Sequence, residues 1–276
     1  MLQALKGHGT ENDFIVIPDL DGRLDLDADD VRALCERRAG IGADGVLRAV
    51  RPEHEPDWAD PAADFAMDFR NADGSVGEMC GNGVRVFAAY LERAGLLPGG
   101  RARIATRGGV RTVTTAGAGT YTVDMGVPRV SRDVVKVRAG DLVATGTPVD
   151  MPNPHVVVAV SAEQLPSLDL SEPPTVEPPR PAGQNVEFAV PNGPHRARMR
   201  VHERGVGETR SCGTGVCAVV AVLAEDRATW DVAVPGGVCR VSWTDDGGLL
   251  LTGPAVIVAE LDVDPAVMGG ARQRDQ

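Results

Sequence analysis

Two stretches of the chain repeat one pattern: DFAMDFRNADGSVGEMCGNGVRVFAAYL (Asp64–Leu91) and ARMRVHERGVGETRSCGTGVCAVVAVL (Ala197–Leu223). Each opens with strict alternation, Phe65, Met67 and Phe69 in the first copy and Ala197, Met199 and Val201 in the second, which predicts a half-buried strand. A glycine-rich loop follows, and then Cys-Gly-x-Gly opens a helical pattern. Val84, Phe87, Ala88 and Leu91 fall at i, i+3, i+4 and i+7, as do Val216, Val219, Val220 and Leu223, so each helix has one apolar face. Cys80 and Cys212 therefore hold equivalent positions in two similar halves.

At roughly 100–200 residues per domain, 276 residues suggest two domains. Further strands are expected at Phe14–Ile17, Val46–Val50, Arg101–Thr106, Val110–Thr115, Thr120–Asp124, Val156–Val160, Val186–Val190, Val238–Trp243, Leu249–Thr252 and Val256–Leu261. Asp-Gly within Asp245–Gly248 signals a hairpin. Helices are few; one is expected over Ala28–Arg38, with Asp27 as its N-cap and Val31, Leu34 and Cys35 on its apolar side. The class is thus α+β, a mixed arrangement of two pseudo-symmetric domains. The expected boundaries are 1–125, completed by a C-terminal strand near 256–265, then 126–255, with a flexible tail at 266–276. The proline-rich acidic segment Ser161–Gln184 reads as an extended surface connection.

The net charge is −11, which argues against nucleic acid or an anionic membrane surface as the main partner. No run of 18 apolar residues occurs, and the start MLQALKGHGTENDF lacks the pattern of a secretory signal, so a cytoplasmic location is expected. Five cysteines without a Cys-x-x-Cys, and five histidines in no metal-type spacing, indicate neither a disulfide framework nor a zinc site. Cys35 and Cys239 read as core thiols; Cys217, inside the second helix, reads as structural.

The repeat has chemical meaning because the first N–H groups of a helix are unpaired and carry partial positive charge. A thiolate at such a point is expected to have a pKa below the free value of roughly 8.5. A carboxylate is bound well there too, and glycine lets it approach the backbone. If pseudo-twofold packing brings the two helix starts together, one thiol stands on each side of one substrate carbon. That suits removal of an α-hydrogen by one group and its return by the other, the requirement for stereochemical inversion, with preorganised donors stabilising the enolate-like charge. A pyridoxal phosphate route needs a Schiff-base lysine, and the chain has only Lys6 and Lys136.

At these residues the sequence resembles the diaminopimelate epimerases, within the cofactor-independent two-cysteine racemases. The matching motifs are GHGTENDF (Gly7–Phe14), GIGADG (Gly40–Gly45), FRNADGSVGEMCGNG (Phe69–Gly83), NPH (Asn153–His155), NVEF (Asn185–Phe188), ERGVGETRSCGTG (Glu203–Gly215) and GPA (Gly253–Ala255). The resemblance implies two domains, each a mixed sheet wrapped around a central helix. It also implies interconversion of LL- and meso-diaminopimelate with no cofactor and no metal, and a homodimer. Cys80 and Cys212 resemble the acid–base pair. Gly81, Asn82, Gly213 and Thr214 resemble the group that holds the reacting carboxylate. Asn71, Glu203 and Arg204 resemble substrate-binding residues near the reacting centre, and Asn12, Asn153 and Asn185 resemble those nearer the distal end. His155 and Glu203 resemble groups that tune the thiols, since a charge beside a thiol shifts its pKa. Glu11 lies where these proteins often have glycine, and His202 where tyrosine is common.

Other readings compete. Gly40–Gly45 fits G-x-G-x-x-G, but a helical pattern precedes it and a strand follows, the reverse of a dinucleotide fingerprint. A proline racemase or hydroxyproline epimerase is the closest rival; those carry His where Asn82 stands. A cysteine hydrolase using Cys80, His155 and an Asn leaves the second cysteine unexplained. A simple binding module leaves the paired thiols unused. Asn12, Asn71, Asn153 and Asn185 could each be turn residues.

Overall fold

The computed structural model describes residues 1–181, 183–268 and 272–273, without the side chains of 265, 272 and 273. The chain divides into two compact units, Met1–Val123 with the chain from Pro254 onward, and Asp124–Gly253.

In the first unit the N-terminal strand Leu2–Gly9 pairs antiparallel with Asn12–Pro18 on one side and with Val256–Val263 on the other. Asn12–Pro18 runs parallel to Gly45–Val50, which pairs antiparallel with Phe65–Asn71. Phe65–Asn71 meets Arg101–Ala105 in parallel, and Arg111–Thr115 and Thr120–Gly126 continue the antiparallel order. Helix α1 (Ala28–Cys35) starts at Asp27, whose carboxylate accepts from the Asp29 and Asp30 amides, while the Asp30 side chain accepts from the Asp27 amide. This reciprocal cap is why the helix begins where Asp27 predicts. Helix α2 (Gly81–Arg93) is the central helix of the unit. It buries Val84, Phe87, Ala88 and Leu91 completely, each large side chain worth about 1.5–3 kcal/mol against exposure.

The same unit buries an ion cluster. Arg48, in the middle of Gly45–Val50, is 2% exposed and pairs with Asp19 at 2.7 Å, Glu55 at 2.7 Å and Asp68 at 3.6 Å. Asp68 also meets Arg107 at 2.6 Å and Arg70 at 3.2 Å. Although burial opposes it, the guanidinium groups of Arg70 and Arg107 hold the Asp68 carboxyl below its ordinary range.

In the second unit Val135–Ala139 pairs with Leu142–Asp150, which pairs antiparallel with Pro154–Ala159. Pro154–Ala159 runs parallel to Asn185–Pro191, with His155 beside Asn185. Asn185–Pro191 then pairs antiparallel with Arg196–Glu203. Trp230–Val234 lies parallel to Arg196–Glu203, and Gly237–Trp243 and Leu249–Pro254 complete the sheet. The Asp-Gly hairpin joins the last two strands, with Gly247 at φ +88°. Helix α4 (Gly213–Leu223) buries Val216, Val219 and Val220 completely.

Ser161–Gln184 departs from the expected surface connection. It holds a short helix, α3 (Gln164–Ser167), and a strand Thr175–Glu177 paired with Val135–Ala139. Leu165, Leu170 and Val176 pack with Val137, Val156, Val158 and Phe188. Three apolar anchors in a proline-rich stretch are enough to seat it, and composition alone does not reveal them. Of the tail expected at 266–276, Ala266–Met268 belong to a 3-10 turn with Met268 buried, and 269–271 and 274–276 lie outside the described residues.

Candidate active site

Each cysteine of the repeat is the N-cap of a buried helix: Cys80 caps α2 and Cys212 caps α4, both with extended backbone. The local reason is the same in both. The strand and glycine loop deliver the chain to the helix start, and the glycine pairs Gly81/Gly83 and Gly213/Gly215 leave a single side chain, Asn82 or Thr214, among the first three residues of each helix.

Around Cys80 the polar groups form one chain. The Gly83 amide donates to Cys80 Sγ at 3.3 Å, and the Cys80 thiol faces Asn12 Oδ1 at 3.8 Å. Asn82 Nδ2 donates to the same Asn12 oxygen at 3.1 Å. Asn12 Nδ2 donates to Asp44 at 2.7 Å, which fixes its oxygen towards Cys80 and Asn82. Arg85, fully buried, donates to Asn82 Oδ1, to Thr10 Oγ1 at 3.2 Å and to the Pro254 carbonyl at 2.9 Å. Thr10 and Glu11 form the turn that carries Asn12, at φ +51° and +61°, a conformation that favours glycine. Asn71 is engaged elsewhere: its carboxamide donates to Ser75 Oγ at 3.0 Å within its own turn.

Around Cys212 the groups are acidic. Cys212 is 4% exposed and its sulfur lies 3.4 Å from Thr214 Oγ1. His155 and Glu187 are fully buried and joined at 2.7 Å through Nδ1, and His155 Nε2 lies 2.8 Å from Asn153 Oδ1. Asn185 Oδ1 accepts from the Arg204 amide at 2.8 Å, and the Thr209 hydroxyl donates to Glu203. Burial raises the Glu203 carboxyl to about 7, opposed by bonds from Thr209 and Cys212. The thiol itself departs from the helix-start expectation. Burial, then the charges of Glu203 and Glu187, push Cys212 well above its ordinary value, and the Thr214 hydroxyl and Gly215 amide only partly oppose this.

The Glu203 shift fixes a sign for stability. The unfolded chain releases this proton near 4.5, whereas the folded chain holds it to about 7. The stability linked to Glu203 is therefore fully present below 4.5 and is lost as pH rises through about 7. Urea unfolding of the ligand-free protein across that range should show this slope in the wild type and a flatter one in Glu203→Gln; identical slopes would contradict it.

Local sequence pattern assigns no role to Glu187, Arg85 or Asp44. Two of them carry a signal as charge in an apolar setting: Glu187 inside Val186–Val190, and Arg85 between Val84 and Val86.

A model of the family described as diaminopimelate epimerase matches residues 4–131 and 147–258. The chain is 49% identical over 280 residues to the diaminopimelate epimerase of Streptomyces coelicolor, covering 96% of each chain. It is 49% identical over 271 residues to that of Thermobifida fusca, covering 95% of this chain and 98% of the other. Among solved structures it is similar to a probable proline racemase from Agrobacterium radiobacter. That match has a TM-score of 0.70 at 16% identity, over 96% of this chain and 94% of that one, a likeness of fold.

Proposed function

The chain belongs to the diaminopimelate epimerase family, and from that premise we propose that it interconverts LL- and meso-diaminopimelate by a thiolate–thiol pair, Cys80 and Cys212. The observation that carries this reading is that both cysteines cap buried helices at equivalent points of an internal repeat. In each direction one sulfur takes the α-hydrogen as a thiolate while the other returns a proton to the opposite face of the same carbon. The roles exchange for the reverse reaction. The substrate carboxylate is held by the amides that open α2 and α4, at Gly81, Asn82, Gly213 and Thr214, where helix-start charge stabilises the developing anion.

Asn12 and Asn82 serve as substrate ligands on the Cys80 side. Their carboxamides are already oriented by Asp44 and Arg85, so little ordering is left to binding. Asn153, Asn185, Glu203 and Arg204 serve on the Cys212 side, Asn71 binds near the reacting centre, and His155 and Glu203 tune the thiol. No cofactor or metal takes part in this scheme. The enzyme acts as a homodimer in the cytoplasm and supplies the lysine and peptidoglycan precursor route. Among the described residues no helix is long and apolar enough to cross a membrane.

The test is exchange in deuterated water. Incubation with LL-diaminopimelate should give the meso form with label at the inverted α-carbon. Turnover of L-proline without turnover of diaminopimelate would assign the chain to the rival substrate, and binding without label would remove the catalytic reading.

A further inference from the structure

The two halves of the repeat pack their helix starts on different chemistry. A Cβ placed on Gly83 would lie 3.2 Å from the Leu47 side chain, and one on the equivalent Gly215 would lie 2.6 Å from Glu187 Oε1. Leu47 and Glu187 thus occupy the same place under their helices, an apolar group in one half and a carboxylate in the other. Five residues after each cysteine the contrast reverses: α2 buries Arg85, and α4 buries Cys217. The glycine at 215 is what lets a carboxylate come this close to the first turn of α4. Glu187 is completely buried, one oxygen is bound to His155, and Oε2 has no hydrogen-bond partner among the described residues. A buried carboxylate held by a single bond is expensive, so retaining it under α4 calls for a role.

We propose that Glu187 is a positioning residue for the two-thiol reaction, holding Cys212 in its protonated form and fixing His155 with its Nδ1 proton towards the carboxylate. The inference rests on the epimerase reading for its purpose, but its physical content concerns one half of the repeat alone. The charge of Glu187 lies beside the helix start, where it offsets the positive end of α4 that would otherwise favour the thiolate. The effect on Cys212 has the sign expected, since Glu187 and Glu203 both raise the thiol. His155 from Pro154–Ala159 and Glu203 from Arg196–Glu203 bear on this point, and α4 and the strand Gly237–Trp243 packed against it carry the buried thiols Cys217 and Cys239. Asp150, at the end of Leu142–Asp150, is paired with Arg180 at 2.7 Å. Glu187 meets both His155 and the first turn of α4 at Gly215. A purely structural residue at this place could be leucine, as in the other half.

The experiment is a thiolate titration by ultraviolet absorbance on the substrate-free protein, with Cys212→Ser as the blank. In Glu187→Gln, which keeps the shape and removes the charge, Cys212 should ionise about one pH unit lower, a roughly tenfold larger thiolate fraction at a given pH below its midpoint. In Glu187→Asp the midpoint should stay near that of the wild type. In turnover, Glu187→Gln should shift the pH profile and lower kcat more than it changes KM. An unchanged titration in Glu187→Gln overturns the proposal. Should that variant fail to fold, nitrogen NMR of His155 in the wild type decides instead: a proton on Nδ1 is expected, and a bare Nδ1 means that Glu187 is neutral and the proposal is wrong. Because the titration is read without substrate, it stands or falls separately from the identity of the amino acid turned over.

Discussion

Cys80→Ala and Cys212→Ala are each expected to lower epimerisation by about 10³-fold or more, with the fold intact. A positioned general acid or base contributes typically 10²–10⁴-fold. Here the loss lies at the upper end, because a single remaining sulfur cannot serve both faces of a carbon. Structure predicts little else. Cys80 is part-exposed, and its sulfur accepts a 3.3 Å bond from the Gly83 amide. Cys212 is buried, but alanine removes one atom, a cost of about 1 kcal/mol. Circular dichroism and urea midpoints should therefore stay near those of the wild type while kcat collapses. Exchange of the α-hydrogen with solvent should be the more resistant property, and each variant should retain it from one isomer only. A hydrolase using Cys80 alone would keep its rate in Cys212→Ala, and a rate within tenfold of wild type in either variant would exclude paired thiols.

Arg48→Met carries the largest expected loss of stability, about 3–5 kcal/mol. The guanidinium is 2% exposed and sits between Asp19, Glu55 and Asp68. Methionine fills much of its volume, so the cavity is small, but it leaves the three acidic groups without their shared cation. Asp68 keeps Arg107 and Arg70, and Asp19 still accepts from the Arg23 and Leu24 amides. Glu55 keeps the bond from the Trp58 indole at 3.0 Å but loses a 2.7 Å ion pair. The loss should shrink when Glu55→Gln is added, since the uncompensated charge is then gone. Urea denaturation of both variants checks this; a change below 1 kcal/mol for Arg48→Met would show that water reaches the cluster and screens it.

Periodicity and repeats revealed the frame, and burial of single charges was hidden from them. The strand–loop–helix repeat was visible because it uses both structural periods, two in Phe65–Phe69 and 3.6 in Val84–Leu91, around the same cysteine. Asp27 was readable as a cap because capping is local chemistry. The strand Leu2–Gly9 was not readable: its glycines and its lack of β-branched residues give no local preference, and pairing on both sides makes it a strand. Arg48, Arg85 and Glu187 each interrupt an apolar run. Their partners, Asp19, Thr10 and His155, are distant in sequence, so only the folded chain brings the balancing groups to them. The same limit explains Cys212, whose helix position argued for an acidic thiol while the burial and the carboxylates that reverse the sign come from other strands.

The first unit closes by pairing Leu2–Gly9, at the very beginning of the chain, with Val256–Val263, near its end. During synthesis the ribosome therefore releases the opening hairpin long before its last partner exists. The stretch from Asp124 to Gly253 emerges whole and can settle first, while the nascent amino-terminal portion waits with one margin uncovered, a window in which holdase chaperones have the most to protect.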